Sequence, residues 1–141
     1  MHPVLQNILG LILGILIGSL VNGWIITISG NIIPPPEGAD LTTPEGLIQA
    51  MAIMQPKHFV MPFLAHAIGT LVGAFIAAKI AATHKRTFAL VVGVVFLIGG
   101  IYMVTILPSP LWFNVLDLAV AYIPMAYIGW LLATTKSRKQ S

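Results

Sequence analysis

The sequence predicts an all-α integral membrane protein, a four-helix bundle with a short amphipathic surface helix in the first outer loop. Three observations carry this. Hydrophobic residues make up 57% of the chain and charged residues 8%, where a soluble domain carries about 25% charge. The mean hydropathy is +0.95. The apolar residues fall into four runs, 4–29, 59–82, 88–107 and 111–133, each close to or above the roughly 20 residues that cross a bilayer. A single transmembrane domain over 1–141 follows, with an outer loop at 30–58 and a cytoplasmic tail at 134–141.

The first run lacks a basic leader and a small-residue cleavage site, and it is too long for the core of a signal peptide, so it reads as a span. Gly10, Gly14 and Gly18 recur every fourth residue along it, and Asn22 continues their stripe. In lipid, helices gain nothing by hiding apolar surface from water, so small residues that admit a close approach mark packing faces. The stripe pairs with Gly69, Gly73, Ala77 and Ala81 of the second run. Contact with another copy or another protein remains the alternative use of these ridges.

In the first loop, "PPPEGAD" opens with a stiff extended stretch. "TTPEGLIQAMAIMQP" then predicts a short helix, with Thr43 as N-cap, Pro44 in the first turn and Glu45 at the positive helix end. Leu47, Ala50, Met51 and Met54 form its apolar stripe, and Pro56 stops it. Such a helix lies on the membrane surface or caps the bundle.

All seven Lys and Arg except Lys57 sit at Lys79, in "THKR" at 83–86, or in the closing "KSRKQS", whereas the first loop carries Glu37, Asp40 and Glu45. The positive-inside rule therefore puts both termini and the 83–86 turn in the cytoplasm. Trp24, Trp112 and Trp130 fall near span ends, where interfacial anchors belong. Pro124 should bend the fourth span and free a carbonyl near Val120.

Each span also brings a polar side chain to nearly one level in the outer half of the membrane. These are Asn22, His66 with Thr70 one turn further, Tyr102, and Asp117 with Asn114 one turn above it. Asp117 is the only acid within a span. A charge at the bilayer centre costs about 2.5–3.5 kcal/mol, so such groups pair, face water or take up a proton. His66 is the partner within reach, and Asn114, Asn22 and Tyr102 can satisfy the remaining hydrogen bonds. A purely structural cluster that fixes helix register is the alternative.

Several functions are excluded. With no cysteine there are no disulfides, iron–sulfur clusters or thiolate zinc sites. His58 and His66 lie on one helix and cannot sandwich a haem. No phosphate loop, serine elbow or HExxH motif is present, and the basic residues are too few for nucleic acid. No catalytic residue, metal or cofactor is expected.

"NIIPPPEGAD", "PKHFVMPFLAHAIGTLVGAFIAAKIAATHK" and "LPSPLWFNVLDLAVAYIPMAYIGW" together resemble a group of small bacterial four-span proteins that carries no assigned function. The resemblance covers most of the chain, and PPPEG and FLAHA are its more distinctive parts. It implies a bacterial inner membrane and the four-helix layout, and it brings no activity or site residue.

Two functions remain. The first is a non-catalytic accessory subunit of a larger membrane complex, or a structural homo-oligomer, resting on small size, glycine ridges and absent catalytic motifs. The second is a small transporter or channel that uses His66 and Asp117 to handle a proton or a polar ligand. The bilayer is a partner in both, and a protein partner or self-association in the first.

Overall fold

The computed structural model describes residues 1–135. Residues 136–141 of the basic tail lie outside the described residues. The element order is α1 (Pro3–Ile32), α2 (Pro44–Met51), a 3-10 turn (Pro56–Phe59), α3 (Val60–Ile80), α4 (Lys85–Ile106), α5 (Leu111–Val120) and α6 (Ile123–Thr135). Among the described residues there is no strand. Pro3–Ile32, Pro56–Ile80, Lys85–Ile106 and Leu111–Thr135 are each long and apolar enough to cross a membrane. The chain is a multi-pass membrane protein.

Helix α3 is the centre of the bundle, packed against α1, α4 and α6. Its crossing with α1 is the most intimate, and the reason is sequence. A Cβ built on Gly14 would lie 2.6 Å from the Gly73 carbonyl oxygen, and one on Gly18 would lie 2.7 Å from that of Gly69. Gly10 meets the backbone of Ala77 and Ala81 in the same way. The small-residue stripes thus face each other within the chain, which lets the two backbones touch. On the other side of α3, Gly129 of α6 is seated against the Leu71 carbonyl, and Gly93 of α4 against Ala126. By contrast, α1 and α4 adjoin only sparingly. They meet where Phe96 lies against Gly18.

At the end of the bundle away from α2, polar groups fasten the α3–α4 turn. Asn7 Oδ1 accepts from the backbone N–H of Ala82 at 2.8 Å and Thr83 at 3.1 Å, and Asn7 Nδ2 donates to Thr83 Oγ1 at 2.8 Å. Gln6 Nε2 donates to the Ile80 carbonyl at 2.8 Å. Lys85 Nζ donates to the carbonyls of Ala78 and Ala81, which have no further turn to bond to. His84, in the same turn, lies in the left-handed region at φ 48°.

At the other end, α2 starts as the sequence predicts. Thr43 Oγ1 accepts from Gly46 N at 3.0 Å and Pro44 occupies the first turn. The helix packs extensively against no span. It stands over the bundle mouth, with Ala50 buried and Leu47, Met51 and Met54 facing a cavity below. Its apolar stripe thus faces the bundle mouth, as the capping arrangement requires. Phe59, Trp112 and Phe113 pack edge-on or tilted beside it, with ring centroids 4.8 to 5.9 Å apart, and tie the starts of the second and fourth spans together.

The fourth span is two helices and not one. Pro124 has no N–H to offer Val120, so the helix opens at Ala121 and Tyr122 and restarts at Ile123. The other spans run close to their expected limits. The first is longer at both ends, and the third begins at Lys85 and not at residue 88.

Candidate functional site

Asp117 is carried by α5, whose buried residues are Phe113 and Asp117, one turn apart. The carboxyl group therefore points into the bundle, and the residue is 4% exposed. Across from it, α3 presents His66 between the buried Ala65 and Ala67. His66 Nδ1 lies 2.8 Å from Asp117 Oδ1. The second carboxylate oxygen, Oδ2, accepts from the Tyr122 hydroxyl at 3.0 Å. Tyr122 is itself buried, and its ring stacks on that of His66 at 5.8 Å and 26°. Gly100 of α4 makes room for this hydroxyl, since a Cβ there would lie 2.5 Å from it.

The three side chains constrain one another. A carboxylate is an acceptor only, so it takes a proton-bearing Nδ1 from the imidazole and the O–H from the phenol. With Asp117 ionised, a neutral His66 carries its one ring proton on Nδ1 and keeps its lone pair on Nε2. Nε2 has no hydrogen-bond partner among the described residues. The His66 side chain is 25% exposed against 5% for Asp117. The pair thus buries its acid and presents its base.

What it presents to is open space. A cavity of about 600 Å³ lies beneath α2 and reaches down to Asn22, His66 and Asp117, with largely apolar walls including Leu47, Met51, Met54 and Met61. A second cavity, of about 340 Å³, lies between α1 and α4 beyond the Gly18–Phe96 contact, and is lined by Ser19, Val95, Phe96, Gly99 and Tyr102. Asn22, His66, Gly100 and Met103 line both. His66 stands at their junction.

The other residues of the expected cluster are placed differently. Asn114 lines the larger cavity but is used by the turn before α5: its Oδ1 accepts from Ser109 Oγ at 2.6 Å and its Nδ2 donates to the Ser109 carbonyl at 3.3 Å. Tyr102 is 63% exposed at the mouth of the smaller cavity and does not reach Asp117. Depth along a span fixes its level, but the rotation of α4 turns it outward. Asn22 Oδ1 is buried without a partner, and so is the Thr70 hydroxyl on the α3 face below His66. Neither satisfies the carboxylate.

Tyr122 takes the place expected of Asn114, Asn22 and Tyr102. The signal for it was present in "AYIPMAY", where the proline-induced break frees a neighbouring side chain to turn back along the span. Among the described residues, no three His, Asp or Glu side chains come together as a metal-ligand set. His58 is occupied as a cap, its Nδ1 accepting from Gln55 N at 2.8 Å. No protein family, curated protein or solved structure matches this chain.

Proposed function

We propose that this protein is a small membrane transporter or channel in which His66, oriented by Asp117 and Tyr122, binds a polar group and exchanges a proton with it. The observation that carries this is the presentation of Nε2, at the junction of two cavities, by a carboxylate that is itself buried. A cluster serving only to fix helix register needs no cavity beside it. The accessory-subunit or homo-oligomer reading rests on small size, glycine ridges and absent catalytic motifs; of these, the ridge glycines Gly10, Gly14, Gly18, Gly69 and Gly73 lie in the α1–α3 crossing.

We place the chain in a bacterial cytoplasmic membrane, and the charge distribution supports an orientation with both termini inside. Lys79, Lys85 and Arg86 lie at the end away from α2, while Glu37, Asp40 and Glu45 lie at the α2 end with Lys57 as the single base there. Arg86 is held there over the rings of Tyr127 and Trp130, at 5.8 and 5.6 Å. On this orientation the larger cavity opens outward under α2.

Proton entry into proteoliposomes after an acid pulse tests the proposal. The wild-type chain should admit protons well above empty liposomes, and Asp117→Asn should reduce that entry by about tenfold or more, with helicity unchanged by circular dichroism. Wild-type entry equal to that of empty liposomes, or full entry in folded Asp117→Asn, would overturn it.

A further inference from the structure

We propose that the site takes a membrane-borne amphiphile, a long-chain molecule whose head is uncharged or cationic and donates hydrogen bonds, admitted from the bilayer between α1 and α4. This rests on His66 and Asp117 being a ligand site, and it names the class of ligand.

Four observations converge on it. First, the smaller cavity lies between α1 and α4 within the length of the spans. Gly99 and Tyr102 sit roughly 6–11 Å along the helix from its end at Ile106. An opening at that level faces lipid tails and not water. A Cβ on Gly99 would meet nothing within 4 Å, so the gap there is open space.

Second, the gap is continuous with the polar site, since Asn22 and His66 line both cavities. An apolar chain can therefore lie against Val95 and Phe96 while its head reaches the pair. A small water-soluble ligand would meet a mostly apolar surface in the larger cavity, Leu41, Leu47, Met51, Met54 and Met61 among it, and gain little from that part.

Third, among the described residues no Lys or Arg lines either cavity, and Asp117 is the only acid that does. An anionic head brought there would lose its hydration beside a carboxylate with no lysine or arginine to offset it. Fourth, the polar atoms along the cavities are short of donors. Asn22 lines both cavities with its Oδ1 buried and unpartnered, and beside an ionised Asp117 the neutral His66 ring offers a lone pair at Nε2. A hydroxyl or ammonium head supplies what they lack.

The experiment uses the full chain in lipid nanodiscs with three photoreactive probes. All carry one diazirine-bearing hexadecyl chain, and their heads are an alcohol, an amine and a sulfonate. Adducts are located by mass spectrometry. The alcohol and amine should label the α1–α4 gap around Ser19–Asn22 and Val95–Met103, and the sulfonate about tenfold less. Gly99→Leu, which fills the gap without a clash, should cut alcohol labelling there by about tenfold. Ser19→Phe on the facing wall should do the same, and Gly23→Leu, which also points into open space but lines neither cavity, should leave it unchanged. Equal labelling by the sulfonate, or undiminished labelling in both blocked variants, would overturn the proposal. Unlabelled gap residues alongside Asp117-dependent proton entry would overturn the amphiphile and leave the proton site standing. Head-selective labelling without such entry would sustain the amphiphile and remove the proton step.

Discussion

Asp117 and Tyr122 are five residues apart on one membrane span, yet the Tyr122 hydroxyl donates to Asp117 Oδ2 at 3.0 Å. In an unbroken α-helix, side chains five apart point about 140° away from each other. The break at Ala121 and Tyr122 removes that separation, and Pro124 causes the break by withholding an N–H from Val120. A backbone defect thus supplies the second donor to a buried carboxylate.

Removing that donor should weaken the fold modestly. Tyr122→Phe leaves the ring in place and deprives Oδ2 of its partner, which costs about 1 kcal/mol. Thermal unfolding in detergent reads this as a lower Tm. Pro124→Ala should allow the helix to close and draw Tyr122 away, so the double variant should lose less than the sum of the two single losses. Strict additivity would disconnect the break from the hydrogen bond.

Gly14→Leu should be far more damaging. Its Cβ would lie 2.6 Å from a backbone oxygen of α3 and 2.9 Å from the Ala77 Cβ, and backbone cannot step aside. Overpacking of this kind costs about 1–3 kcal/mol or more. Gly23→Leu, on the same helix, meets nothing within 4 Å and should be neutral. Equal stability of the two variants would contradict the α1–α3 crossing.

Much of this bundle is legible in the sequence because bilayer length and small-residue spacing act locally. Four apolar runs give four spans, and the period-four glycines of α1 and α3 give their contact. The histidine and the acid are legible for the same reason, as the costliest side chains at one level. The roles of Asn114 and Tyr102 were not. Asn114 is captured by Ser109, five residues back in a turn whose course depends on tertiary structure. Tyr102 depends on the rotation of α4, which apolar residues around the whole helix leave unspecified. The opening between α1 and α4 likewise belongs to no single segment.

The absence of cysteine allows a clean test of orientation. Single cysteines placed at Gly38 in the α2 loop and at Thr83 in the α3–α4 turn should report opposite sides of the membrane. In intact cells an impermeant maleimide should label Gly38→Cys and spare Thr83→Cys. The reverse pattern would invert the orientation inferred from Lys79, Lys85 and Arg86.

The α2 loop should respond to acid. Asp40 Oδ1 accepts from the Thr42 hydroxyl at 2.6 Å and from its N–H at 2.8 Å, which holds the carboxyl below its ordinary value of 3.8. A lowered folded-state value means that this tether is fully present above pH 3.8 and is lost as pH falls through the lower, folded value. A carboxyl titration by carbon NMR should show a midpoint under 3.8, and Thr42→Val should move it upward. A midpoint at or above 3.8 would contradict the tether.

The most direct test is nitrogen NMR of His66 in the ¹⁵N-histidine-labelled chain in lipid, assigned by comparison with His66→Gln. The neutral ring should carry its proton on Nδ1 and show an unprotonated Nε2. In Asp117→Asn the amide can donate to Nδ1 in place of accepting from it, so the neutral ring should shift toward the Nε2–H form. A neutral His66 protonated at Nε2 in the wild-type chain, or a tautomer indifferent to Asp117→Asn, would contradict the claim that the buried acid presents the base to the cavity.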